Sequence, residues 1–425
     1  MIKRPSFLFI SASDINGGAS IVAYQLHNGL LARGYTSKMV VSRKFSNDDS
    51  VIEINSYSKK IIHSLVYGDI NFPFSYRIGK MIELLKESFY KYLKKSRKDV
   101  FFYPASRRIL NLINYKPDII QLHDIHDDYF DISLIKKWSN HSAIFFKNCD
   151  LWLFGDWDQN KKEWVLDQTI AKRSITENVK INYIHPSEWV KNKLTGIKLH
   201  PKSVERVIKD TVDLQYFYPS DRNIARKALG IDEECFLILT MAFGFKDNPH
   251  KDITTVLKAF KKVNQIKINT KLLVVGDSLH KYNEINTKNI IFFEPCFDKE
   301  KIRNIYRSAN IYVHSTFIET WCLTITEARA SGLPIIASNV GAIPEQIINC
   351  NYNNLKNGYV NNENGILFDP GSDKQLANYI NILYDNESLC KKLGENSRKN
   401  IEDFGMEELL NSNLEYYHDV LNSSN

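Results

Sequence analysis

The chain has 425 residues, with 43% hydrophobic and 25% charged residues, which is the balance of a soluble globular protein too long for a single ordinary core. Its 56 Lys and Arg against 49 Asp and Glu leave a net charge of +7, which suits an anionic ligand or surface without itself implying nucleic acid. The six cysteines (149, 235, 296, 322, 350 and 390) are dispersed with no C-x-x-C, so a disulfide framework and a zinc finger are excluded, and no apolar run approaches the length of a membrane span.

The opening MIKRPSFLFISASD has a basic tip but an apolar run too short for a secretion signal, so it reads as a first strand, Ser6 to Ala12. The loop SDINGGAS follows, with Gly17 and Gly18 at the turn into a helix from about Ala19 to Arg33, whose Val22, Ala23, Leu26 and Leu30 share a face. Glycines at such a turn let backbone amides approach an anion, although in isolation a plain turn is the simpler reading. Ser37 to Ser42 is a second strand. Between Lys59 and Arg108 the pattern becomes basic and aromatic, and residues 86–98 combine Lys86, Lys91, Lys94, Lys95, Arg97 and Lys98 with Phe89, Tyr90, Tyr92 and Leu93. That face suits anionic lipid headgroups or a solvated helix; no nucleic-acid-binding fold accompanies the charge.

Asp118 to His123 reads as a strand with His123 at its carboxyl end, followed by DIHDDYFD. His and Asp at this density are competent divalent-metal ligands, and a satisfied core histidine is the plainer reading. DLWLFGDWDQNKKEW then sets Trp152, Trp157 and Trp164 among charges, where they could stack on sugar rings or anchor in the core. Asn182 to Ser187 is a strand before a short helix, Glu188 to Leu194, and Val204 to Asp210 leads into TVDLQYFYP. From Phe236 the α/β alternation starts again, with strands expected at 236–241, 271–276, 289–294, 311–315, 333–338 and 365–368. A helix from about Ile253 carries Val256, Leu257, Phe260 and Val263 on one face.

The most informative stretch is IYVHSTFIETWCLTITEARASGLPIIASNVGAIPE, residues 311–345. It reads as strand, loop with Glu319, helix from about Thr324, and strand, the βαβ unit of a parallel sheet. Glu319 and Glu327 would be roughly 12 Å apart on a continuous helix at about 1.5 Å per residue, too far to act on one atom. The spacing suits carboxylates gripping opposite ends of an extended ligand, with the backbone N–H groups of Trp321, Cys322 and Leu323 between them at a positive helix end.

E-x7-E followed by EARASGLPIIASNVGAIPE resembles the donor site of retaining glycosyltransferase family 4, and the resemblance covers most of the chain, most strongly 236–370. It implies an α/β GT-B fold: two Rossmann-like domains facing each other across a cleft, residues 1–205 for the acceptor and 206–402 for a nucleotide-sugar donor, with a C-terminal helix, 403–425, crossing back. Leu409, Leu410, Leu414, Tyr417 and Leu421 supply that helix with an apolar stripe. The resemblance also implies the roles. Glu327 would hold the donor ribose, Glu319 and His123 the donor sugar, and Gly17, Gly18 and Lys251 the diphosphate, with Lys246 standing near a position where many members carry Arg. Acceptor contacts would fall around His126, Trp152 and Trp157. No metal or other cofactor is expected, since cationic side chains and helix ends can offset the diphosphate charge.

The expected activity is transfer of a hexosyl unit from a UDP- or GDP-linked donor to a hydroxyl of a glycan or lipid-linked acceptor, in bacterial surface polysaccharide assembly. It would occur in the cytoplasm, with residues 86–98 offering peripheral attachment to the inner face of the membrane. The alternatives are a catalytically inactive glycan-binding or scaffolding protein and a nucleotide-sugar epimerase.

Overall fold

The computed structural model describes residues 4–54, 103, 105–126, 129–154, 172–242, 245, 248–276, 288–296, 298–401 and 404–423. The basic aromatic segment 86–98, Lys246 and Trp157 lie outside the described residues.

The chain divides into two compact units. The first comprises residues 1–185, 191–207 and 413–425, and the second residues 186–190 and 208–412. Two Rossmann-like parallel sheets were expected, and each unit is built on one.

In the first unit β1 (Phe7–Ser13), β2 (Ser37–Arg43), β3 (Val51–Glu53), β4 (Ile119–Leu122), β5 (Ala143–Lys147), β6 (Asn182–His185) and β7 (Glu205–Val207) run in the order β3-β2-β1-β4-β5-β6-β7. Every pairing is parallel. All seven residues of β1 are buried, as parallel strands covered on both faces must be, and this is why they read as unbroken apolar runs. Leu8, Ile10, Ile120, Leu122, Ile144 and Phe146 point into one core with Phe130 and Trp138. Strands β3 and β5 are not among the strands expected from the sequence: the first has three residues, and the second, AIFFK, is a short run of five.

The second unit has six strands in the order β10-β9-β8-β11-β12-β13: β8 (Phe236–Met241), β9 (Thr270–Val275), β10 (Ile290–Phe293), β11 (Ile311–His314), β12 (Ile335–Ser338) and β13 (Gly365–Phe368). All are parallel. Alternate residues divide between the two faces. Ile238, Leu272, Val274, Ile311, Val313 and Ile336 join the core that includes helix Ile253–Ile266. Leu237, Leu239, Leu273, Tyr312 and Ile335 join the one that includes Ile305, Tyr306 and Ile325. Each fully buried Leu or Ile contributes roughly 1.5–3 kcal/mol, so such rows of strand residues dominate the stability of either unit.

Helix starts are capped where the sequence supplies Asp. Asp252 accepts from the Thr255 amide at 3.0 Å and Asp298 from that of Lys301 at 3.2 Å, each cap being worth about 1 kcal/mol. The short helix Glu188–Lys193 begins within the second unit because Glu345 accepts the amides of Glu188 (3.0 Å) and Trp189 (2.7 Å).

The closing helix, Met406–Asn422, belongs by its second half to the first unit. There Tyr417 packs on Phe7 and Phe145, and the Tyr416 hydroxyl donates to the carbonyl of Val204 at 2.8 Å. The buried face is Leu409, Leu410, Asn413, Tyr416, Tyr417 and Val420; Leu414 and Leu421 are half-buried at its margin.

Both sheets reverse their strand order once, between β1 and β4 and between β8 and β11. Ligands of open parallel sheets bind beyond the carboxyl ends of strands at such points. Gly17, Gly18 and His123 follow β1 and β4, while Lys251, Glu319 and Glu327 follow β8 and β11.

Candidate active site

In the second unit the segment after β8 is zipped to the one after β11. Asp252 N–H donates to the Ser315 carbonyl (3.1 Å), Phe317 N–H to that of His250 (2.9 Å), and the Ser315 hydroxyl to Asp252 Oδ2 (3.0 Å). Residues 68 apart in sequence are thereby forced together: Lys251 Nζ lies 2.7 Å from Glu319 Oε2. His314 Nε2, at the end of β11, lies 3.5 Å from the same oxygen. Side-chain exposures of 19% for Lys251, 11% for Glu319 and 3% for His314 make this a largely buried cluster.

Its charges follow from that burial. Desolvation alone would raise Glu319, but the Lys251 ammonium and His314 bring it down to about 2. Desolvation opposes a charged Lys251, and Glu319 outweighs it, so the ammonium is held more firmly. His314 is pushed down by burial and up by the Cys322 sulfur and Glu319, reaching about 9 against the repulsion of Lys251. Lys251 and His314 thus both face the Glu319 carboxylate, and the Cys322 sulfur lies 3.5 Å from His314 Nε2.

The loop carrying Glu319 is fixed from behind. Its carbonyl accepts the Ala342 amide at 2.9 Å, and Gly341, at φ +58°, lies so close that an added Cβ would stand 2.0 Å from that oxygen. Gly341→Ala is therefore expected to lose more than about 2 kcal/mol of stability and to displace Glu319, which urea denaturation checks.

Helix Leu323–Ala330 begins immediately after this loop. The Cys322 amide, expected to face a ligand, is occupied: it donates to Gln346 Oε1 (3.0 Å), while Gln346 Nε2 donates to the Cys322 carbonyl (2.9 Å). The amides of Leu323 and Thr324 have no partner among the described residues, as expected for the first turn of a helix. Trp321 is buried and stacked on Phe404 (ring centroids 5.7 Å apart), so its ring serves the core.

Glu327 lies on the same helix. The Tyr306 hydroxyl donates to its Oε2 at 2.5 Å, and burial raises it to about 7, the Tyr306 bond opposing that rise. Tyr312 beside it donates to Thr324 Oγ1 at 2.7 Å. His314, Tyr306, Tyr312 and Gln346 were not read as site residues from the sequence. Only the position of His314 at the carboxyl end of a predicted strand could have marked it.

In the first unit Gly17 caps helix Gly18–Ala32 at φ 98°, ψ 150°, a conformation essentially reserved for glycine. His123 is completely buried, and burial followed by the repulsion of Lys147 lowers it to about 3, so its imidazole is neutral. His126 Nε2 lies 2.5 Å from Asp124 Oδ1 and 2.9 Å from Asp150 Oδ2, and its ring faces that of Trp152 at 5.9 Å. Trp152 is covered on one side by Lys172, 4.0 Å from its ring centroid. Two sets of side chains are close enough to hold a cation among the described residues: Asp124, His126 and Asp150, and His314, Glu319 and Cys322. In the second set Lys251 already neutralises Glu319.

The two parallel sheets match the α/β GT-B fold of solved structures. The profile described as "Glycosyl transferases group 1" matches residues 221–400. The chain is 29% identical over 171 residues to the capsular polysaccharide biosynthesis glycosyltransferase CapM of Staphylococcus aureus, covering 39% of this chain and 42% of CapM. It is 28% identical over 194 residues to sucrose-phosphate synthase of Spinacia oleracea, covering 40% of this chain and 17% of that protein. It thus spans less than half the length of either relative. Among solved structures, sucrose-phosphate synthase of Thermosynechococcus elongatus superposes with a TM-score of 0.69 at 19% identity, covering 99% of this chain and all of that one. The Anabaena protein HepE in complex with UDP-glucose gives 0.66 at 14% identity, covering 98% and 100%.

Proposed function

We propose that this protein is a retaining glycosyltransferase that moves a hexosyl unit from a UDP- or GDP-linked donor to a hydroxyl of a glycan or lipid-linked acceptor. The observation that carries the reading is the buried cluster in which Lys251 and His314 face Glu319, beside the amides of Leu323 and Thr324, which have no partner among the described residues. An ammonium and a helix N-terminus together suit a diphosphate. Glu327, anchored through one oxygen by Tyr306, has the other available for a ribose hydroxyl. The UDP-glucose bound to the structural neighbour HepE supports a nucleotide sugar as donor, and CapM supports a polysaccharide role.

In this reading the bond from the anomeric carbon to the diphosphate oxygen breaks, and the electron pair leaves with the diphosphate. Lys251, with the helix amides, stabilises that departing charge. The acceptor oxygen bonds to the anomeric carbon on the same face, and its proton passes to the departing phosphate. Glu319 and His123 orient the sugar, and Gly17 and Gly18 serve the diphosphate. Neither a protein base nor a metal is assigned a step. Attachment to the inner face of the membrane through residues 86–98 is part of the same proposal; among the described residues no helix is long and apolar enough to cross a membrane.

The test is titration with UDP and GDP, followed by incubation with a panel of nucleotide sugars and acceptor glycans. Nucleotide release and product stereochemistry are the readouts. Saturable binding of one nucleotide and a product that keeps the donor's anomeric configuration are expected. Binding of neither nucleotide would favour a scaffolding protein, and an inverted product would reject the mechanism.

A further inference from the structure

The buried polar groups around His123 form a chain that begins on the closing helix. The Tyr417 hydroxyl, fully buried, bonds to Gln121 Oε1. Gln121 lies on β4 two residues before His123, on the same face of the sheet, and its Nε2 is 2.7 Å from His123 Nε2. An amide nitrogen can only donate, so the histidine nitrogen facing it must accept. The single proton of a neutral imidazole then sits on Nδ1, and that atom is buried without a partner among the described residues. A buried donor left unpaired is unfavourable, so a ligand oxygen that reached it would relieve that cost.

We propose that Tyr417 and Gln121 are positioning residues that lock His123 as the Nδ1–H tautomer, making it a fixed hydrogen-bond donor and not a proton acceptor. Resting on the glycosyltransferase reading, this specifies what His123 recognises: an oxygen lone pair of the ligand, such as that of a sugar hydroxyl. It also gives the closing helix a role beyond packing, since the hydroxyl that sets the orientation of the Gln121 amide comes from its second half. The opposite arrangement has the amide turned over, Tyr417 accepting from Gln121 and donating to Asn413 Oδ1, which is 3.3 Å away. His123 would then carry its proton on Nε2.

The two arrangements are separated by nitrogen NMR of the full chain labelled in histidine, with His123 assigned by comparison with His123→Asn. No substrate is needed, so this result is independent of whether the transferase reading holds. The expected result is a neutral ring protonated on Nδ1. Tyr417→Phe should give a mixture of tautomers. Gln121→Glu, whose carboxylate can only accept, should move the proton to Nε2, and it serves if the first variant does not fold. With a donor in hand, both variants should lose about 10–100-fold in kcat, the usual cost of removing a group that orients a functional histidine, with donor KM nearly unchanged. A wild-type ring protonated on Nε2, an imidazolium, or a tautomer unmoved by both variants overturns the proposal.

Discussion

Replacing Lys251 by Ala is expected to lower turnover by roughly 100- to 1,000-fold, the usual cost of removing a group aimed at developing charge, and to destabilise the fold by about 3 kcal/mol at neutral pH. The second loss arises because Glu319 is left buried with His314 as its remaining cation. The pH dependence has a definite sign. Glu319 is held down at about 2, so the stability it contributes is fully present above its unfolded value of roughly 4.5 and is lost as pH falls through about 2. The difference between wild type and Lys251→Ala in urea denaturation should therefore shrink over that interval. The double variant Lys251→Met with Glu319→Gln removes both charges and should recover most of the stability without recovering turnover. Recovery of turnover as well would reduce the pair to a structural role and remove the diphosphate assignment.

Glu327→Gln is expected to weaken donor binding by at least tenfold above pH 7 and to abolish its pH dependence. The wild-type carboxyl is raised to about 7 by burial. A ribose diol donates to the carboxylate form, so affinity should fall about tenfold for each pH unit below 7. The ligand must be an intact nucleotide sugar, since free UDP has a terminal phosphate that titrates in the same range. Isothermal titration between pH 6 and 8 measures this, and equal slopes in wild type and variant would exclude Glu327 as the titrating contact. In the absence of ligand the sign reverses. A carboxyl with a raised folded value favours folding most below about 4.5, and that contribution is lost as pH rises through about 7, so Glu327→Gln should flatten the stability profile there.

Much of this site is written locally in the chain. The strand, loop and helix between residues 311 and 338 are legible because the apolar runs, Gly332 and Pro334 obey short-range rules. Six of the strands in the second unit were placed within two residues of where they lie. Strands β3 and β5 escaped because a three-residue edge and a run beside a histidine and a serine carry too little periodicity. The amides of Trp321, Cys322 and Leu323 were expected to face a ligand, but Gln346 takes that of Cys322, while the Trp321 ring is packed on Phe404.

By itself the sequence determined two parallel α/β sheets, a carboxylate at either side of a helix start, and a lysine after β8, because burial on both strand faces and helix capping leave marks within a few residues. The tertiary structure alone decided that Lys251 and His314 share Glu319, that Tyr306 holds Glu327, and that Tyr417 governs His123 through Gln121. These pairs are 5 to 296 residues apart, apart from the neighbours Gln121 and His123. The strength of a buried charge or hydrogen bond depends on what excludes water around it, and that is set only once the sheets have assembled.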